Sequence, residues 1–346
     1  MVKGTSLFSN VGIAEAYLKK SGIDIVVANE LIKERANFYK HLYPSTNMIV
    51  GDITTPEVFE SVVQSSLKEN INFVIATPPC QGMSVAGKMD ENDPRNSLII
   101  KVIEFIKRTN PANVIIENVP TMLKTYIVAN NEKILIKDYI QKELGNSYNI
   151  SFNILNAADY GTPQVRKRAI TLLTKYKKWE IPKKQPPITV KEAIGDLPTL
   201  ESGQKSIIKF HNAPKHNAKH ILWMRNTPTG KTAFDNPVYF PQKEDGTRIK
   251  GFATTYKRMD WDKPAPTVTM CNGAISSQNN VHPGRLLPDG TYSDARVLTL
   301  LELFRIMGLP DDWNVPEWAS ENLIRKVLGE GIPPHLIEAI VSTMPK

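Results

Sequence analysis

Cys80 stands directly after Thr77-Pro78-Pro79, at the end of the apolar run Phe73 to Ala76. Such a run reads as a buried strand, and prolyl backbone straight after it holds the cysteine on a stiff loop. A thiol so presented is suited to nucleophilic attack, because its thiolate fraction grows as its pKa falls. A second apolar run, Asn113 to Ile116, ends in Glu117-Asn118-Val119-Pro120. If the two strands are neighbours, a nucleophile and a carboxylic acid face the same ring in one crevice. A third block, Gln164-Val165-Arg166-Lys167-Arg168, brings two guanidinium groups that share one side of an extended chain. Singly, Cys80 has a plainer reading as a small buried hydrophobe and the arginine block as a solvated basic edge.

These groups need a sheet whose strands end on one side. Thr5 to Phe8 reads as a first strand, followed by the turn Ser9-Asn10-Val11-Gly12 and a helical pattern from Ile13 to Lys20. Strand, tight turn and helix start make a site for a nucleotide-like ligand. The next strands, Ile23 to Glu30 and Met48 to Ile53, carry Glu30 and Asp52 at their carboxyl ends, where acids suit ribose hydroxyls and a base amine or cap the next helix. After the strand feeding Cys80, Gly82 to Asp93 reads as a long loop before a helix that starts near Pro94 to Leu98 and reaches Arg108. A long helical region follows the fifth strand through Leu144, and Tyr148 to Ala157 with Arg168 to Thr174 form a hairpin. The pattern is α/β, a doubly wound and mostly parallel sheet.

The chain of 346 residues is long enough for two domains. Hydrophobic content of 41% and charged content of 23% are those of a globular protein, and no apolar run is long enough to span a bilayer. Two cysteines form no disulfide framework and no metal-ligand spacing, which fits a reducing compartment. A formal charge of +8 favours a polyanionic partner, and the clusters Arg166 to Arg168, Lys175 to Lys184 and Lys205 to Lys231, the last with His211, His216 and His220, mark where phosphates would be met. After Trp179, Pro182, Pro186, Pro187, Pro198 and Pro214 break any long periodicity, so an irregular, β-containing second domain is expected to about Asp289, with Cys271 as a structural residue. Arg296 to Met307 reads as an amphipathic helix ended by Gly308, and Ile332 to Ser342 as the closing helix.

In composition, order and spacing, the blocks around Cys80, Glu117 and Arg166 together resemble the DNA (cytosine-5) methyltransferase family of the bacterial restriction-modification type. Trp261 to Thr269 and His282-Pro283 resemble its downstream region, and the likeness runs from Phe8 to Ile340, weakest between about Lys178 and Lys257. The resemblance implies a catalytic domain over 1–177 with a Rossmann-like S-adenosylmethionine site and a smaller target-recognition domain over 178–289. It further implies an orienting helix region over 290–327 and a C-terminal helix over 328–346 that returns to the first domain.

Carried over by motif, Cys80 resembles the nucleophile, Glu117 the residue that holds and protonates cytosine, and Arg166 with Arg168 the pair that hold the flipped nucleotide and its phosphate. Phe8, Asn10 and Gly12 resemble the methionine-side cofactor loop, Glu30 the ribose ligand, and Asp52 with Ile53 the adenine contacts; Pro79 and Leu98 resemble further positions of that pocket. Gln81, Ser84, Asn118 and Gln164 resemble substrate contacts, while Arg296, Leu298, Thr299, Glu302 and Arg305 resemble the helix that orients the small domain. The family pattern is departed from at Asn10 and Ile13, where glycines are usual, and at Glu330, which puts a charge near the cofactor. Implied is methyl transfer from S-adenosylmethionine to carbon 5 of a flipped cytosine in double-stranded DNA, through a cysteine adduct at carbon 6, with S-adenosylhomocysteine as product and no metal. The implied setting is a cytoplasmic monomer, at the nucleoid through DNA, with any restriction endonuclease acting separately. A transfer-RNA cytosine-5 methyltransferase would use the same blocks, and a catalytically silent DNA-binding relative is the reading of another class. The lysine-rich variable stretch favours DNA, and intact Cys80, Glu117 and arginines argue against silence.

Overall fold

Apolar strands that stop at a polar residue stop where their backbone leaves a covered sheet. The computed structural model describes residues 1–79 and 98–346, and they divide into two compact units. The first comprises Met1–Asn156, Lys167–Lys184 and Leu336–Lys346, the second Ala157–Arg166 and Gln185–His335. The units therefore change at positions other than the boundaries drawn from sequence after 177, 289 and 327, and the connection of the expected hairpin is part of the second unit.

Seven strands make the sheet of the first unit: β1 (Val2–Leu7), β2 (Ile23–Glu30), β3 (Asn47–Val50), β4 (Phe73–Ala76), β5 (Asn113–Asn118), β8 (Asn149–Asn156) and β9 (Lys167–Thr174). Their order is β3-β2-β1-β4-β5-β9-β8, parallel from β3 to β5, with β9 antiparallel to both β5 and β8. The order reverses between β1 and β4, so chain reversals from both halves leave the carboxyl ends at that point, where α/β sheets bind ligands. Helices α1 (Lys33–Leu42), α2 (Pro56–Lys68), α3 (Leu98–Thr109) and α4 (Ile136–Leu144) supply apolar stripes to this sheet. In α3, Ile99, Val102, Ile103 and Ile106 recur at helical spacing and are buried with Val74, Val114 and Ile116.

Two expectations about this unit are corrected. Ile13 to Lys20 is not an α-helix: a 3₁₀ turn spans Ile13–Glu15, and bonds such as Ala16 N–H to Ile13 O and Leu18 N–H to Glu15 O keep the segment in tight turns. The long helical region before Leu144 contains a 3₁₀ turn (Pro120–Lys124) and a hairpin of β6 (Tyr126–Ala129) and β7 (Glu132–Leu135) ahead of α4. Asn130 and Asn131 both have positive φ, 51° and 64°, which is the geometry of a two-residue hairpin turn.

The second unit is held by short helices and irregular chain: α5 (Val190–Ile194), α6 (Ala218–Arg225), α7 (Leu300–Met307) and α8 (Glu321–Glu330). Its β content, among the described residues, consists of isolated bridges such as Gln242 with Arg248 and Val281 with Val297, in keeping with an irregular chain. Helix α7 begins four residues later than the sequence pattern suggested, because Thr299 and Glu302 close a capping box, and Gly308 ends it at φ 75°. Helix α8 was not foreseen, and α9 (Pro334–Ser342) starts two residues after Ile332. Cys271 is exposed, so the structural role expected of it is not the one it has.

Candidate active site

Strands β4 and β5 run side by side in register, Ala76 beside Ile116, so Thr77-Pro78-Pro79 and Glu117-Asn118 leave the sheet on the same side. The Asn118 side-chain amide donates to Pro78 O at 3.0 Å, and its oxygen accepts from Val119 N–H at 2.8 Å. The amide nitrogen thus ties β5 to Pro78, two residues before Cys80 in sequence, while the oxygen braces the turn that follows Asn118. Thr77 adds two ties to the end of β1, its N–H to Leu7 O at 3.2 Å and its hydroxyl to Phe8 O at 3.0 Å. Cys80, Gln81 and Ser84 lie outside the described residues.

Glu117 is buried, and Arg168 Nε lies 2.8 Å from its Oε1. The register explains the pair. Glu117 sits opposite Ile170 on β9, and Arg168, two residues along, projects from the same face. Arg168 also donates to Lys167 O at 2.8 Å.

Arg166 takes a different set of partners from Arg168. It is buried in the second unit, where its guanidinium donates to Val268 O and Gly329 O, both at 2.9 Å, and to Glu330 O at 3.3 Å. Gln164 is fully buried there too: it donates to Ile306 O at 3.4 Å and accepts from Val268 N–H at 3.1 Å. Gly329 permits this assembly, since a Cβ there would stand 2.3 Å from the carbonyl of Thr269. Arg166 and Gln164 thus tie chain segments of the second unit together.

At the same carboxyl end of the parallel strands, the turn after β1 has positive φ at Phe8 (59°), Asn10 (51°) and Gly12 (82°). Glu30, the buried last residue of β2, braces it: Oε2 accepts from Asn10 N–H and Oε1 from Ile32 N–H, each at 2.9 Å. Asn10 thus supplies the left-handed backbone that a glycine usually gives, a conformation asparagine tolerates. Exposed Asp52 accepts from both the N–H and the hydroxyl of Thr54 at 2.8 Å through Oδ1. Ile53 is buried; Pro79, Leu98 and Phe8 are half-buried. Two acids after neighbouring strands, a left-handed turn and apolar side chains stand together at the carboxyl edge of the sheet in the first unit. Among the described residues, no group of acidic, histidine and cysteine side chains could hold a metal ion.

The sequence model of the C-5 cytosine-specific DNA methylase family matches residues 2–346. The chain belongs to that family. This DNA cytosine-5-methyltransferase is 52% identical to the Type II methyltransferase M1.HgaI of Avibacterium volantium over 98% of its own length and 97% of the relative's. It is 27% identical to M1.HphI of Haemophilus parahaemolyticus, over 98% of this chain and 86% of the other. In fold it is similar to the crystal structure of a prophage-encoded DNA modification methyltransferase (E. coli), TM-score 0.70 and 20% identity, covering 99% and 98% of the two chains.

Sequence reasoning passed over two parts of the methylase's site. Leu31 and Ile32 are 61% and 40% exposed directly after Glu30, an apolar shelf beside the acid. An apolar pair following a polar strand end was the signal available for it. The ties made by Thr77 carried no such signal, since a threonine before two prolines has no pattern of its own.

Proposed function

We propose that this methyltransferase modifies cytosine in double-stranded DNA as the modification half of a Type II restriction-modification system, with S-adenosylmethionine as methyl donor. The observation that carries the chemistry is the buried Glu117–Arg168 pair at the end of β5, beside the strand that leads through Asn118-anchored Pro78 to Cys80. The names of the two relatives support the setting.

The residues fit the cofactor. Glu30, fixed at the end of β2 by two backbone N–H groups, suits a ribose hydroxyl, and Asp52 suits the adenine amine. Leu31 and Ile53 offer apolar cover for a flat base, and the turn Phe8 to Gly12 receives the methionine end. When bound, the cofactor supplies an electrophilic methyl group on a sulfonium.

Carbon 5 of cytosine is a poor nucleophile, so the ring must first be made enamine-like. Cys80 adds as thiolate to carbon 6. Glu117, held in one orientation by Arg168, meets ring nitrogen 3 and offsets the charge that develops there, most effectively with water excluded. Loss of the carbon 5 proton after methylation expels Cys80. A stacked base cannot reach these groups, so the cytosine is flipped out at a cost of about a few kcal/mol, which DNA contacts offset. Arg168 is the arginine retained for this step; Arg166 and Gln164 hold the second unit. The enzyme acts as a monomer in the cytoplasm, apart from its endonuclease.

Duplex DNA and transfer RNA incubated in parallel with methyl-labelled cofactor test the substrate: label is expected in DNA, and label in RNA alone would overturn it. Duplex carrying 5-fluorocytosine in the target site should trap a covalent adduct that Cys80→Ser abolishes. An undiminished adduct would remove Cys80 from its role.

A further inference from the structure

Beneath the turn Phe8 to Gly12 lies a buried glutamate that the mechanism does not use. Glu15 accepts hydrogen bonds from the hydroxyls of Ser6, next to last on β1, and of Tyr39 on α1. Its own N–H donates to Gly12 O at 3.2 Å, and the same carbonyl accepts from the Tyr43 hydroxyl at 2.6 Å. The Tyr39 and Tyr43 rings meet at a tilt of 47°, centroids 4.8 Å apart, under Gly12, where an added Cβ would lie 2.3 Å from Tyr43 and 2.9 Å from Tyr39. One face of the turn is thus gripped by Glu30 and the other by this cluster.

A core position would be filled more favourably by leucine, since a buried acid must have its polar atoms satisfied. No lysine, arginine or histidine is ion-paired with Glu15 among the described residues, and burial raises its pKa to about 7. What the acid does that leucine could not is join strand, turn and helix through directional bonds. We propose that Glu15 is the positioning residue of the cofactor turn, holding its left-handed backbone in the ligand-ready shape through Ser6, Tyr39 and, one bond further, Tyr43. This rests on the reading that the turn receives S-adenosylmethionine. Preorganisation of this kind acts on binding, not on the chemical step.

The test uses the full-length protein without DNA and titrates S-adenosylmethionine by calorimetry, with amide exchange at Asn10 and Gly12 read in the absence of cofactor. Glu15→Leu should weaken binding about tenfold or more and speed exchange at both amides, while kcat at saturating cofactor stays within about threefold. Glu15→Gln should restore affinity, since its oxygen accepts one hydroxyl and its amide donates to the other. Tyr43→Phe, which removes only the bond to Gly12 O, should weaken binding by about threefold and decides the matter if Glu15→Leu does not fold. Wild-type affinity in folded Glu15→Leu, or in Tyr43→Phe where the leucine variant fails, would overturn the proposal. A wild-type protein that binds no S-adenosylmethionine would overturn the cofactor reading beneath it instead.

Discussion

Glu15 and Glu302 are both buried, one in each unit, and burial acts on them with the same sign. Yet Glu15 is pushed up to about 7, whereas Glu302 is held at about 2. The difference lies in the partners. Arg296 approaches Glu302 with two nitrogens at 2.8 and 2.9 Å while also holding Asp294 at 2.8 Å, and Thr299 N–H adds a bond at 2.7 Å. Around Glu15 there are hydroxyls only, whose dipoles reduce the penalty of desolvation without cancelling it. Glu302 is thus a fixed charge, whereas Glu15 takes up a proton near neutral pH.

The largest effect should come from making the second site resemble the first. Arg296→Met leaves Glu302 and Asp294 buried without their clamp and is expected to cost about 3 to 5 kcal/mol, measured by urea unfolding at neutral pH. An Arg296→Met protein as stable as wild type would show that hydroxyl and backbone donors suffice at both sites.

Next comes pH. The folded pKa of Glu15 lies above its unfolded value of 4.5, so its contribution to stability is fully present below about 4.5 and lost as pH rises through about 7. The loss amounts to about 3 kcal/mol, from about 1.4 kcal/mol per pKa unit. Glu302 has the opposite sign: its contribution is present above 4.5 and lost as pH falls towards about 2. His216 and His282, both lowered to about 4 by burial, destabilise the folded state as pH falls from 6.5, so each glutamate must be isolated by difference. Subtracting the stability curve of Glu15→Gln from that of wild type should leave a slope confined to pH 4.5 to 7. A flat difference would mean that Glu15 titrates alike in the folded and unfolded chain.

The smallest effect sharpens the comparison. Exposed Glu60 is also lowered to about 2, by Arg108 at 2.6 Å, yet water already solvates both groups. Glu60→Gln should leave the melting temperature at high salt unchanged, since a screened surface pair contributes little. A clear loss would show that pairing alone, without burial, explains Glu302.

Much of the sheet could be read from the chain, because a covered strand requires an apolar run and its end requires a polar residue. Glu30, Asp52 and Glu117 were found as strand-end acids for this reason. Helix α7 was legible too, though its start was displaced by the capping box of Thr299 and Glu302. The hairpin at Asn130-Asn131 was hidden inside a helical-looking pattern, since its four-residue strands are too short to outweigh the flanking periodicity. Ile13 to Lys20 had helical spacing, but Glu15 and the turns around it are fixed by Ser6, Tyr39 and Gly12 rather than by an α-helical ladder.

The sequence by itself determined the order of strands and turns along the chain and the acids at strand ends, because these depend on backbone sterics and burial over a few residues. Only the tertiary structure decided which arginine meets Glu117, what Arg166 and Gln164 hold, and which buried glutamate carries a charge. Such choices rest on partners brought together from far along the chain, Arg166 with Gly329 or Glu15 with Tyr39, and no local pattern encodes the distance at which two side chains meet.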